Sequence, residues 1–408
     1  MRLAYGMLSP TFLIVLLIVL GPLLANFWIS FKPVQLGDLR PATPVANERL
    51  RGKAEAVGDT VTVEYRLRNS SRDGAISAVT LADTLPAGLA FGDIDERCTL
   101  TGLQLSCQLG EFEGGYRERL IMEATVEQAY LDNPVNPRDS APTMGGTSDN
   151  VLTNFSFTLE NFRRIFDSDE FWGVLRVSLY YTIFGTAGAL VLGLFAAQLL
   201  NTAFPGRGML RGLFLFPYVA PVIAVAFTWV VLLDPFSGTL NSILQQTGAI
   251  AEPINFFGQR SVPFSLFGLT IEFPVALTTV IAFEAWRYFP LSFLFILARM
   301  QSISGDMYEA AEIDGATPLQ QFWYISLPQL IGILSVLFLL RFIWTFNKFD
   351  DIFLLTGGAA GTRTLTVDVY EQGFAVSNLG AGAAVAVVVF FVLLVFATLF
   401  FKFSPKDE

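Results

Sequence analysis

Hydrophobic residues gather into six long runs, at about residues 8–31, 171–200, 213–233, 273–298, 327–346 and 381–401. Each is close to the ~20 residues that an α-helix needs to cross the hydrocarbon of a bilayer. The stretch between the first two runs has a different rhythm. Val61-Thr62-Val63-Glu64-Tyr65-Arg66-Leu67-Arg68 alternates apolar with polar, and so does the segment 117–126. A period of two is that of a strand with one buried face. Arg72-Asp73-Gly74, Pro86-Ala87-Gly88 and Glu113-Gly114-Gly115 supply turns between such strands. The pattern predicts an all-α polytopic membrane protein of six transmembrane helices, with a β domain inserted after the first. Residues 133–150, rich in Pro, Gly, Ser and Asp, read as a flexible linker back to the membrane. Residues 159–166 are amphipathic and predict a short helix, either at the membrane interface or packed on the bundle.

Composition agrees with the membrane class: 53% of residues are hydrophobic, and the mean hydropathy is +0.52. The net charge of −10 is local, because residues 33–170 hold 22 Asp plus Glu against 13 Lys plus Arg. An acidic soluble insert on a near-neutral membrane part excludes nucleic acid as a partner and leaves membrane lipid as the solvent of the remainder. Basic residues in the short loops orient the spans. Arg2, then Arg207 and Arg211, then Arg299, then Lys402 and Lys406 fall on one side, which is read as cytoplasmic together with both termini. Arg163, Arg164 and Arg176 dissent, but they flank a long translocated domain, which largely escapes the rule. The first run lacks a small-residue cleavage site and is long, so it reads as a retained span. The insert is then extracytoplasmic. Its Cys98 and Cys107, the only cysteines, would be oxidised there and bridge across a hairpin. With no histidine in the chain, neither a metal site nor His-dependent catalysis is expected.

The most informative segment is a polar island between two spans, residues 305–328. Glu309, Ala310, Ala311 and Glu312 are strong helix formers, and Gly315 can take the left-handed conformation that ends a helix. A second helix restarts at once, with Thr317 as N-cap, Pro318 at its first position and Gln320 completing a capping box. The string EAAEIDGA, followed by Ile325, Leu327 and Pro328, closely resembles the coupling loop of binding-protein-dependent ABC importer permeases. The resemblance implies a permease bundle of the MetI-like kind over residues 159–408, whose loop docks into an ATP-hydrolysing partner through Glu309, Ala310, Ala311, Asp314, Gly315, Ala316 and Phe322. It also implies a second homologous permease chain, a homodimeric ATP-binding subunit and an extracytoplasmic solute-binding protein, all at the inner membrane of a bacterium. This chain has no phosphate-binding loop of its own. It is expected to be a non-catalytic subunit without cofactors, ATP and Mg²⁺ being held by the partner.

Trp286-Arg287-Tyr288-Phe289-Pro290, the run from Phe346 through Asp350 to Gly358, and Gly238 with Asn241 and Leu244 resemble the carbohydrate-uptake permeases of the maltose type. That resemblance spans about residues 161–401 and implies a sugar, a disaccharide or oligosaccharide, as the solute. It does not reach the insert (residues 33–158, core about 48–128). There, Asp83-Thr84-Leu85-Pro86-Ala87-Gly88-Leu89-Ala90-Phe91 and Cys107-Gln108-Leu109-Gly110 are similar to immunoglobulin-like β-sandwich repeats of bacterial surfaces. Residues 1–32 form the first span. Where the family more often has Gly-Pro after Gly358, this chain has Ala359-Ala360-Gly361.

Spacing points to a solute path near the middle of the membrane. Glu284, Arg287, Tyr288 and Leu291 share one helical face, and Arg341, Thr345 and Lys348 repeat the spacing on the next span, with Trp344 beside them. Charges there must face water or one another. Carboxylates and guanidinium groups suit sugar hydroxyls, and Trp and Tyr faces suit a pyranose ring. The same residues also allow a purely structural pair of Glu284 with Arg287 or Arg341. The three cations keep a phosphate ester such as glycerol phosphate open, and a polyamine belongs to the same class of solute. A membrane-anchored adhesion protein is the reading from another class, and six spans with a coupling loop exceed what an anchor needs.

Overall fold

The computed structural model describes residues 2–403 other than 73, 136–141 and 267–268. The middle of the turn at 72–74, part of the expected linker and Lys406 therefore lie outside the described residues. The chain forms two compact units, one of Met1–Ser30, Asn161–Val376 and Ala381–Glu408, the other of Phe31–Glu160 and Ser377–Gly380.

The first unit is helical. In chain order its helices are α1 (Met7–Ser30), α2 (Glu160–Phe166), α3 (Asp169–Asn201), α4 (Arg207–Val219), α5 (Val222–Leu232), α6 (Thr239–Gln246), α7 (Val275–Gln301), α8 (Gly305–Ile313), α9 (Pro318–Phe346), α10 (Asp350–Thr356), α11 (Leu365–Tyr370) and α12 (Leu379–Phe403). Among them α1, α3, α7, α9 and α12 are long and apolar enough to span a membrane. The run at 213–233, expected as one span, is broken: α4 and α5 meet at 92°. Pro221 opens α5, and Ala220 before it is extended with ψ 144°, as the residue preceding a proline prefers. The count of six holds only if this bent pair is taken as one span.

Helices α3 and α7 form the centre of the bundle. Their approach depends on small residues: a Cβ on Gly185 would come 2.8 Å from Glu284 Cγ, and one on Gly193 would come 2.7 Å from Ser292 Cβ. Glycine at such crossings lets two backbones pack where no hydrophobic force separates helix from lipid. Helix α2 packs on the bundle, since Ile165 is buried in one cluster with Phe171, Phe342 and Leu365. An antiparallel hairpin, Val262–Leu266 with Leu269–Phe273, precedes α7. The apolar pattern gave no sign of it.

The second unit is built from β1 (Pro44–Arg51), β2 (Thr60–Asn69), β3 (Ile76–Thr84), β4 (Leu89–Phe91), β5 (Cys98–Thr101), β6 (Gln104–Phe112), β7 (Arg117–Val126) and β8 (Thr143–Ser148). They make two antiparallel four-stranded sheets, ordered β1-β2-β7-β4 and β5-β6-β3-β8. The inward residues of both sheets form one core, with Val61, Val63, Tyr65 and Leu67 of β2 meeting Ile76, Leu81, Leu105 and Phe112. Part of the expected flexible linker is thus strand β8, which pairs with β3 from Ile76↔Ser148 to Ala82↔Thr143. The composition of residues 133–150 suggests a linker because Pro, Gly, Ser and Asp make up half of it. An available sheet edge on β3 overrides that weak preference by completing the backbone hydrogen bonds.

Cys98 and Cys107 sit directly opposite each other in the β5–β6 register and are bonded, with Cα atoms 3.9 Å apart. Gly88, in the turn after β3, has φ +82°, and a Cβ there would lie 2.2 Å from the Tyr130 nitrogen. Only glycine meets both demands. Arg97, in the loop between β4 and β5, clasps that loop onto β7 by donating to Asp95 at 2.9 Å and to Glu118 of β7 at 2.7 Å. That side-chain hydrogen bond, helped by the Arg97 backbone N–H, holds the Asp95 carboxyl down at about 2. Tyr65 donates to Asp83 at 2.5 Å. Burial first, and this acceptor second, push the Tyr65 hydroxyl well above its ordinary range.

Candidate functional site

Two places in the helical unit carry chemistry. The first is the helix pair α8–α9. Helix α8 ends in a Schellman arrangement: Gly315 has φ +79°, its N–H donates to Glu312 O at 3.0 Å, and Ala316 N–H donates to Ala311 O at 2.8 Å. The capping box at Thr317 and Gln320 is formed in both directions, with Pro318 at the first turn of α9. Tyr308 and Ser326 share a hydrogen bond of 2.9 Å that ties the two helices together. Glu309, Ala310, Asp314 and Gly315 are exposed, while Ala311, Ala316 and Phe322 are half-buried. The pair also presents apolar side chains that the sequence reading left out: Ile313 is 87% exposed, Tyr324 81%, Leu319 67% and Trp323 56%. Four such residues on one polar connector are a signal that the sequence did offer.

The second place lies between α7 and α9. A cavity of about 470 Å³ is lined by Tyr218, Tyr288, Arg341, Trp344, Asn347, Lys348 and Asp350. Tyr288, Arg341, Trp344 and Lys348 come from the set named on spacing. Leu291 is half-buried and Thr345 buried, and neither is part of this lining. Trp344 exposes 47% of its surface. Lys348 Nζ bonds the Tyr288 hydroxyl, and Lys348 and Arg341 lie 4.2 and 4.4 Å from the Tyr288 ring centre.

Glu284 and Arg287 are engaged elsewhere. Glu284 is fully buried and accepts from Arg341 at 2.5 Å, Thr345 at 2.8 Å and Tyr181 of α3 at 2.9 Å. Three spans meet at this one carboxylate. Arg287 donates to the carbonyls of Pro217 and Ala220 at 3.4 and 3.2 Å and lies 3.9 Å from Asp351. It thereby satisfies the backbone acceptors freed where α4 breaks from α5, which lipid could not do. Glu284 pairs with Arg341 rather than with Arg287, and the i, i+3 spacing of Glu284 and Arg287 could not reveal that. Tyr218, Asn347 and Asp350 were not singled out from sequence. Asn347 and Asp350 stand in the Phe346-Asn347-Lys348-Phe349-Asp350 run and could have been; Tyr218 reaches the cavity only because the helix bends.

The helical unit is a polytopic membrane bundle with a capped, exposed helix pair and a polar cavity between two spans. The chain belongs to the family of binding-protein-dependent transport system inner membrane components, whose model matches residues 189–406. It is therefore the non-catalytic transmembrane permease of an ABC importer for a polar solute, part of an assembly with an ATPase and a solute-binding protein.

Two relatives show the range of solutes. The trehalose/maltose transport system permease protein MalF of Thermococcus litoralis is 32% identical over 60% of this chain and 78% of its own length. The sn-glycerol-3-phosphate transport system permease protein UgpA of Agrobacterium fabrum is 29% identical over 61% of this chain and 80% of its own. Among solved structures, a bacterial ABC transporter that imports the acidic polysaccharide alginate superposes with a TM-score of 0.53 at 19% identity, covering 62% of this chain and 87% of that one. At that identity the likeness concerns the fold.

Proposed function

We propose that this permease carries a neutral sugar, a disaccharide or oligosaccharide, through the cavity between α7 and α9. The observation that carries the reading is an exposed Trp344 indole set among Asn347, Asp350, Tyr218 and Tyr288. An indole face stacks on a pyranose ring, and the amide, carboxylate and phenol groups exchange hydrogen bonds with its hydroxyls. The local charges are balanced: Arg341 by Glu284, Arg287 by Asp351, and Lys348 by Asp350 at 3.7 Å and Asp351 at 3.6 Å. A neutral site favours a neutral solute, in line with the trehalose/maltose relative. In this reading Glu284 and Arg287 are positioning residues, and Tyr288, Arg341, Trp344 and Lys348 line the path.

The second reading, a phosphate ester, is favoured by one feature: two cations and one carboxylate face the cavity itself. That lining disfavours a polyamine. The test is uptake in proteoliposomes with the partner subunits, comparing disaccharides with glycerol phosphate. Trp344→Ala should raise the KM for a disaccharide about tenfold or more, the loss of one stacking contact. An unchanged KM, or uptake of the phosphate ester in preference, overturns the sugar reading.

The same proposal gives α8 and the start of α9 the coupling role. Glu309, Ala310, Ala311, Asp314, Gly315, Ala316 and Phe322, with exposed Ile313, Leu319, Trp323 and Tyr324, dock the ATPase, and its closure rocks the bundle between inward- and outward-open states. Both termini are then cytoplasmic and the β unit extracytoplasmic. Two antiparallel sheets around one core support an immunoglobulin-like sandwich for that unit. A second permease chain completes the pathway.

A further inference from the structure

We propose that the outer face of sheet β1-β2-β7 docks a carboxylate-rich surface of the importer's solute-binding protein. This rests on the reading of the chain as a binding-protein-dependent permease. The segment 33–170 has a net charge of −9, yet Arg49, Arg51, Arg66, Arg68, Arg117 and Arg119 share one face of one sheet. The register brings them together: Arg49 lies opposite Glu64, Asn47 opposite Arg66, Arg66 opposite Arg119, and Arg68 opposite Arg117. Nearly half of the cations in this acidic segment thus sit on one face of three adjacent strands, six arginines against the two carboxylates of that face, Glu64 and Glu123.

The cluster is organised rather than scattered. Glu64, on the same face but buried beneath the arginines, is paired with Arg51 at 2.5 Å, Arg66 at 3.1 Å and Arg119 at 3.6 Å. One carboxylate shared by three guanidinium groups holds them in a fan and leaves them with excess positive charge. Guanidinium forks fixed in this way meet carboxylates in paired hydrogen bonds and lose less freedom on binding. A groove of about 460 Å³ is lined by Asn47, Arg66, Arg68, Arg117 and Arg119, with Leu67 and one carboxylate, Glu118, also on its wall. Beside it Ile121, opposite Glu64 in the register, leaves 56% of its surface exposed. An apolar side chain at the middle of an arginine field is the composition of a protein-binding centre, which a small anion does not need.

The experiment uses the full-length chain with its partner subunits in nanodiscs of neutral lipid. The probe is the importer's solute-binding protein, purified with its solute. Binding is measured by surface resonance at 50 and 300 mM NaCl for the parent, for Arg68→Glu with Arg117→Glu, and for Arg49→Glu as a separate edge-strand variant in case the pair disturbs folding. The expected result is parent binding that weakens with salt, about tenfold weaker binding by the charge-reversed forms, and a shallower salt dependence in them. Retention of parent affinity by variants with parental thermal midpoints overturns the docking face and leaves the importer reading intact. Absence of any parent binding overturns that partner assignment and the docking face with it. Sedimentation with 3:1 phosphatidylcholine–phosphatidylglycerol vesicles is the counter-test. If the variants lose only vesicle binding, the occupant is the membrane and the proposal fails.

Discussion

Replacing Glu284 by Ala should damage the bundle itself rather than merely alter its solute preference. The Glu284–Arg341 pair is 2.5 Å long with side chains 0% and 1% exposed, and Thr345 and Tyr181 donate to the same carboxylate. Removing it leaves one guanidinium and two hydroxyls without their acceptor. Breaking a buried pair in this way costs about 3–5 kcal/mol. The Tyr288 ring, 4.4 Å from the Arg341 guanidinium carbon, and the adjoining cavity keep part of the compensation, so the lower end, about 3 kcal/mol, is expected. That is roughly a hundredfold shift toward the unfolded or unassembled form.

The assay is the thermal midpoint and the yield of assembled complex in nanodiscs. Glu284→Gln, which retains an acceptor for Thr345 and Tyr181, should lose less. Glu284→Leu with Arg341→Met should recover most of the loss, because the double change removes both charges. Parent-like stability of Glu284→Ala, or a double variant no better than the single, refutes the structural account of this carboxylate.

Three further outcomes follow from the geometry. Gly315→Val places a β-branched residue at φ +79°, where a Cβ meets no atom within 4 Å; the effect is backbone strain of about 1–3 kcal/mol, read as loss of ATPase co-purification with the β unit intact. Gly88→Val adds a clash with the Tyr130 nitrogen to positive φ and should lower the melting of the β unit in calorimetry, whereas Gly58→Val, with φ +95° and open space, should lower it less. The Asp95 carboxyl, held at about 2 by Arg97, has a folded value below its unfolded one of about 3.9. Its stabilisation is therefore full above about pH 4 and lost as pH falls toward 2; Asp95→Asn should flatten the melting profile across that window, and an unchanged profile removes Asp95 from the clasp.

Much of this protein is set locally, and that part was legible in the sequence. Run length fixes which segments can cross a bilayer, because lipid leaves the backbone only a helix or a closed barrel, and continuous apolar runs of about 20 residues fit the helix. Alternation fixes the inward face of β2 and β7. The turn at Gly315 and the capping box at Thr317 are written in neighbouring residues, so both were predictable to the residue. Other features depend on partners far along the chain. The break between α4 and α5 needs Arg287, some 70 positions away, to satisfy its carbonyls. Strand β8 needs the free edge of β3. Glu284 was readable as a buried charge near the middle of a span, but its choice of Arg341 over Arg287 was not. Helical spacing says which side chains share a face; only the packing of α3, α7 and α9 decides which of them reach one another and which are left to line the cavity.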